Sequence, residues 1–185
     1  MSGKYRCILI DPPWQQKMIG KRKRRGKYAP TLPYPTMDYA EIAQLPVGSL
    51  GADDAHLWLW TTNQFLEAGF SLLKAWGFTY LAPIHAIKPS GIGNYFVSRT
   101  QTLLFAYKKR CRFPLARYQP NIIEVHHPRR HSEKWDKTYD YIESISPSPR
   151  VELFARRKRP GWDVWGNEVE SDVVLLPTEA AWMTP

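Results

Sequence analysis

The chain has 185 residues, 43% of them apolar, which suits one domain with a sizeable core and excludes a disordered chain. No run of about 18 apolar residues marks a membrane span, no apolar leader opens the chain, and Cys7 and Cys111 do not make a disulfide framework, so the expected setting is cytoplasmic. The net charge is +9, and its clustering points away from simple solubility and toward an acidic partner.

Tyr5 to Ile10 reads as a short buried strand that ends abruptly in Asp11, Pro12, Pro13 and Trp14. Gln15 to Pro35 reads as a long basic loop, in which Lys21, Arg22, Lys23, Arg24, Arg25 and Lys27 put six cations into seven positions. Two further clusters, Lys108–Arg112 and Arg156–Arg159, are expected on water-exposed loops or faces. Mutual repulsion makes such runs costly to pack, and dense cations commonly meet phosphates. Eight tryptophans and ten tyrosines add stacking surfaces, which makes nucleic acid the expected partner.

Thr36 or Asp38 can cap a short helix that Pro46 closes. Ala55 to Thr62 has the apolar density of a buried strand, and Asn63 can cap a helix that Gly77 stops. Strands are expected over Thr79–Lys88, Thr100–Lys109, Asn121–His127 and Arg150–Arg157, with a glycine-rich loop at Gly91–Arg99. Glu133 to Ser146 predicts a helix with Trp135, Tyr139 and Ile142 on one side. Alternating strands and helices predict an α/β fold with a mostly parallel sheet covered on both faces. The expected organisation is one domain over residues 1–172 with a loose tail over 173–185.

In such folds ligands bind beyond the carboxyl ends of strands, where Asp11–Trp14 falls. Pro12 and Pro13 fix φ and lack N–H groups, so the segment offers carbonyl oxygens beside an acceptor carboxylate. Such acceptors suit an –NH2 group, and Trp14 adds a flat face for its ring. Gripping both amine protons favours a pyramidal nitrogen whose lone pair can meet an activated electrophile. Metal binding through His126, His127 and His131 is not expected. Neighbouring strand residues point to opposite faces, and no cysteine or carboxylate completes a ligand spacing.

The order of motifs resembles the MT-A type of S-adenosylmethionine-dependent adenine-N6 methyltransferases. The motifs are DPPW at Asp11–Trp14, LPYPTM at Leu32–Met37, HLWLWTTNQFLEAGFSLLKAWGF, GNYFVSRTQTLLFAYK, RRHSEKWDKTYDYIESISP and VELFARRKRPGWDVWGNE. The resemblance spans Tyr5 to Glu168 and implies a Rossmann-like methyltransferase sheet in circularly permuted order, catalytic strand ahead of cofactor strand. It implies a target-base site at Asp11, Pro12, Pro13 and Trp14 with Tyr34 beside it, and His131 and Ser132 on a nearby loop. It implies S-adenosylmethionine held by Phe154, Arg156, Asn167 and Glu168, with Asp11 also on the cofactor's ammonium.

The implied substrate is adenine in DNA ahead of RNA, single-stranded or flipped out of a duplex, because a stacked base cannot present its amine. The basic run at Lys21–Lys27 would clamp the backbone, and a second copy or partner subunit could supply further contacts. A non-catalytic nucleic-acid-binding subunit is the alternative, against which the intact DPPW and WGNE motifs stand. The chain departs from the family at Gln101, where glutamate is common, at Trp135, where proline is common, and in lacking an Asp-containing element ahead of DPPW.

Overall fold

The structure is a computed structural model, and it describes residues 3–15, 35–92, 95–110, 113, 118–126 and 134–175. The basic run Lys21–Lys27, together with Tyr34, His131 and Ser132, lies outside the described residues.

Seven strands form one sheet: β1 (Tyr5–Ile10), β2 (Gly51–Thr61), β3 (Thr79–Ile92), β4 (Ser98–Tyr107), β5 (Ile122–Glu124), β6 (Arg150–Leu153) and β7 (Trp162–Trp165). Their order across the sheet is β5-β3-β4-β2-β1-β6-β7. β1 runs parallel to both β2 and β6, β6 is parallel to β7, and β3 is parallel to β5. β4 is antiparallel to both of its neighbours, β2 and β3. The expected mostly parallel α/β sheet is therefore present, with a hairpin set into one half.

Helices cover both faces. On one side α1 (Tyr39–Ala43), α2 (Val47–Leu50) and α3 (Leu66–Ala75) bring Ile42, Val47, Leu72 and Leu73 onto Ile8, Ile10, Leu57 and Leu59. On the other side α4 (Asp136–Ile145) brings Tyr139, Ile142 and Ile145 onto Cys7, Leu9, Trp58 and Trp60. Alternate residues of β1 and β2 thus feed opposite layers, the period-2 geometry of a strand buried on both faces. Each such large side chain contributes roughly 1.5–3 kcal/mol by leaving water. No helix among the described residues is long and apolar enough to cross a membrane.

Local chemistry sets most boundaries. Asp38 caps α1 in a capping box, accepting from the Glu41 backbone N–H while Glu41 accepts from the Asp38 N–H. Gly77 ends α3 at φ 77°, a left-handed position that glycine takes without a Cβ penalty.

Three expectations are corrected, and one strand is added. Asn63 begins a 3-10 turn (Asn63–Phe65) rather than capping α3. Trp135 is the N-cap residue of α4 and so stands outside the helix, where its ring meets the edge of Trp60. The expected Gly91–Arg99 loop is shorter, since Gly91 and Ile92 belong to β3 and Ser98 and Arg99 to β4. At Gly91 a Cβ would come within 2.1 Å of the Ser98 carbonyl oxygen across the hairpin, so the close approach needs glycine. Trp162–Trp165, which carried no strand expectation, forms β7 at the sheet edge.

The third basic cluster is also not a free phosphate-binding face. Arg156 pairs with Glu168, Arg157 with Asp136, and Lys158 with Asp172, while Arg159 reaches Asp136, Asp140 and Glu143. In the second cluster Lys108 Nζ donates to the carbonyls of Gly48 and Gly51, and Lys109 pairs with Asp53. Carboxylates distant in sequence pair with Lys109 and with all four cations of the third cluster, while Lys108 is held by two backbone carbonyls.

Candidate functional site

The four parallel strands β2-β1-β6-β7 end at one edge of the sheet. Asp11–Trp14 follows β1, Phe154–Arg156 follows β6, and Gly166–Glu168 follows β7. Strand order alone therefore brings segments about 140 residues apart into neighbouring positions, at the edge where open α/β sheets bind ligands.

Asp11 lies 2.9 Å from Lys134 Nζ, and both side chains are largely buried. Lys134 Nζ also stands 4.9 Å from the centroid of the Trp60 ring, a cation–π position. Beneath this pair the Tyr139 hydroxyl donates to Glu152 Oε1 at 2.8 Å, with Glu152 only 5% exposed. Burial pushes the Glu152 carboxyl up to about 7, and the Asp11 charge acts in the same direction. Burial and the Glu152 charge hold the Tyr139 phenol well above its usual range, so it remains a donor.

The two prolines present carbonyls as expected, but each already accepts one backbone N–H. Trp14 N donates to Pro12 O at 2.8 Å, and Met37 N donates to Pro13 O at 2.9 Å. The second bond, with the bridge between Trp14 and Met37, draws Thr36 and Met37 of the LPYPTM stretch against DPPW. Each carbonyl keeps a second lone pair for a ligand.

Trp14 is only 8% exposed. Its ring stacks on Phe65 at 5.0 Å with an interplanar angle of 8°, and its Nε1 donates to the Trp60 carbonyl at 3.4 Å. One ring face is thus taken by the protein, and the indole is pinned by its N–H.

After β6, Phe154 turns the chain at φ 63°, a left-handed conformation that costs a non-glycine residue roughly 1–2 kcal/mol. Its ring packs edge-on against Trp165 at 5.1 Å. The two segments are drawn together by Ala155 N donating to Trp165 O at 2.9 Å. Gly166 fits beside them because a Cβ would come 2.2 Å from the Ala155 carbonyl oxygen. Arg156 Nη1 stands 3.5 Å from Glu168 Oε1, while Asn167 and Glu168 remain exposed to solvent.

Of the residues expected from sequence, Asp11, Pro12, Pro13, Trp14, Phe154, Arg156, Asn167 and Glu168 lie at the ends of three adjacent strands. Lys134, Tyr139, Glu152 and Trp60 were not singled out. The Lys that closes RRHSEK and the lone acid in the apolar run VELF were the available signals.

The sequence model of the MT-A70 family matches residues 5–168. The type II methyltransferase M.MunI of Mycoplasma sp is 32% identical over 95% of this chain and 82% of its own length. A Drosophila melanogaster N(6)-adenosine-methyltransferase MT-A70-like protein is 30% identical, with 95% of this chain covering 28% of it. The human N(6)-adenine-specific methyltransferase METTL4 is 28% identical, with 89% of this chain covering 37% of it.

Proposed function

This chain belongs to the MT-A70 family, and from that premise and the site's geometry we propose that it is an S-adenosylmethionine-dependent methyltransferase of the adenine N6 amine in nucleic acid. The observation that carries the reading is the convergence of DPPW, with Asp11 held by Lys134, on the segments that end β6 and β7.

The donor set fits the proposed cofactor. Its methionine end carries an ammonium and a carboxylate, for which Asp11 and Lys134 are a complementary anion and cation. Glu168 and Asn167 offer acceptors and a donor for ribose hydroxyls, and Arg156 adds a further donor. When bound, S-adenosylmethionine supplies a methyl group on a sulfonium.

The chain's own residues do the rest. Asp11 accepts one N–H of the target amine and a proline carbonyl takes the other, which localises the nitrogen lone pair. Lys134 fixes the orientation of the Asp11 carboxylate, and Phe65 and the Trp60 carbonyl fix the plane of Trp14 beside the ring. Asp11 is also the acceptor on which the amine's surplus proton leaves. Positioning of this kind supplies a large share of the rate. The basic run Lys21–Lys27, with Tyr34, is proposed to hold the strand that carries the base, and His131 and Ser132 to border the site.

DNA is proposed ahead of RNA. The type II methyltransferase is matched over most of its length, whereas the Drosophila relative named for adenosine is matched over less than a third. The test is incubation with isotope-labelled S-adenosylmethionine and matched DNA and RNA, followed by mass spectrometry of the nucleosides. Labelled N6-methyladenine is expected in DNA and absent with Asp11→Ala. No methylated adenine in either polymer would overturn the reading.

A further inference from the structure

From Ala68 to Ile123 the chain carries eight Lys and Arg residues and not one Asp or Glu. This stretch includes the antiparallel hairpin β3–β4. β2 ends at Thr61, which pairs with Thr102, so Ser98–Gln101 of β4 run on past the end of β2. Four extended residues span about 13 Å. Because β4 is antiparallel to β2, the overhang lies at the sheet edge where DPPW follows β1.

At its tip Tyr95 is 96% exposed and Phe96 89% exposed, and Val97 follows them. Arg99 Nε donates to the Lys88 carbonyl at 3.0 Å, bracing the two strands below the tip and leaving Arg99 on the surface. Two nearly bare aromatic rings on a projecting hairpin are not core residues; such surface marks a contact site. A second copy docked through this same stretch would bring like charge against like charge, since no acid lies within it. A nucleic-acid strand offers both complements, phosphates for the cations and flat bases for the rings.

We infer that the β3–β4 hairpin is a nucleic-acid-binding arm, in which Tyr95 and Phe96 stack on bases neighbouring the target while Lys88 and Arg99 serve the phosphates. The inference rests on the nucleic-acid reading of the site and adds the element that holds the flanking strand.

The test compares wild type with Tyr95→Ala/Phe96→Ala and with the exchange Tyr95→Phe/Phe96→Tyr. Binding of a fluorescein-labelled, adenine-containing oligonucleotide is followed by anisotropy across a salt series, with thermal melting to verify the fold. The alanine pair should weaken binding at least about tenfold, the scale of lost base stacking, without changing the slope against log salt. The aromatic exchange should bind like wild type, and Arg99→Gln should flatten the slope by about one phosphate contact.

Wild-type affinity in the alanine pair would overturn the arm. So would sedimentation showing a wild-type dimer that the alanine pair abolishes at unchanged affinity, which would assign the tip to a second copy. Methyl transfer with wild-type affinity and KM in the alanine pair would remove the arm and leave the enzyme reading standing. Oligonucleotide binding that depends on Tyr95 and Phe96, without methyl transfer by wild type, would do the reverse.

Discussion

Lys134 Nζ sits 2.9 Å from Asp11 Oδ2 and 4.9 Å above the Trp60 ring, so one ammonium ties the end of β1 to the approach to α4 across the end of β2. Removing either partner leaves the other charge largely out of water, at a cost on the order of 1–3 kcal/mol, between exposed and fully buried pairs. Lys134→Met should lower the melting temperature and weaken S-adenosylmethionine binding at least about tenfold by calorimetry. Asp11→Asn should retain the fold and lose methyl transfer by about a hundredfold or more. Unaltered cofactor affinity in Lys134→Met would remove Lys134 from the site.

Glu152 makes the stability of the protein dependent on pH. Burial raises its carboxyl from 4.5 to about 7; Asp11 reinforces this, while the Tyr139 hydrogen bond, Arg157 and Lys134 oppose it. For an acid whose folded-state pKa is raised, the folded state binds more protons than the unfolded one. Its contribution is therefore intact below about pH 4.5, is lost as pH rises toward 7, and is constant above. The loss is on the order of 3 kcal/mol. Glu152→Gln keeps an acceptor for the Tyr139 hydroxyl but cannot ionise. Relative to wild type, its melting temperature should gain more in mildly alkaline than in mildly acidic buffer, and an equal gain in both would refute the assignment.

Gly166 joins β7 to the Asn167–Glu168 turn at a place with no room for a side chain. A Cβ would lie 2.2 Å from the Ala155 carbonyl oxygen and 2.9 Å from the Ala155 nitrogen, both of them backbone. Gly166→Ala should therefore push the turn away from β6, costing about 1–3 kcal/mol in chemical denaturation. It should also weaken cofactor binding, because Glu168 moves with the turn. A variant with wild-type stability would show that the two segments separate freely.

The six cations of Lys21–Lys27 are proposed to serve polymer binding rather than chemistry. Replacing them with glutamine should weaken binding to duplex DNA and reduce the slope of log affinity against log salt by about 0.9 for each lost phosphate contact. Cofactor affinity should stay at the wild-type value. A slope identical to wild type would exclude the run from the substrate site.

Much of this follows from short-range chemistry. A strand that ends in Asp11-Pro12-Pro13 must stop there, since two prolines offer the ladder no donors. Asp38 with Glu41 and the left-handed Gly77 likewise mark helix ends through contacts within a few residues. The motifs from DPPW to WGNE likewise carry the family in the order of their residues. The sequence by itself therefore determined most of the element types, the family and the position of the acceptor cluster at a strand end, but not β7 or the 3-10 turn at Asn63.

Only the tertiary structure decided which charges meet. Asp11 and Lys134, Arg156 and Glu168, and Arg159 and Asp140 are neighbours because β1, β6, β7 and α4 are, and no local periodicity encodes that adjacency. The basic cluster at Arg156–Arg159 reads as a phosphate-meeting run in sequence and is, in space, a surface network of ion pairs within the chain. Trp14 changes in the same way, from a presented indole to a ring held between Phe65 and the Trp60 carbonyl. Strand edges and helix caps depend on contacts within one or two turns of chain, whereas charge pairing and ring burial depend on the order in which strands assemble.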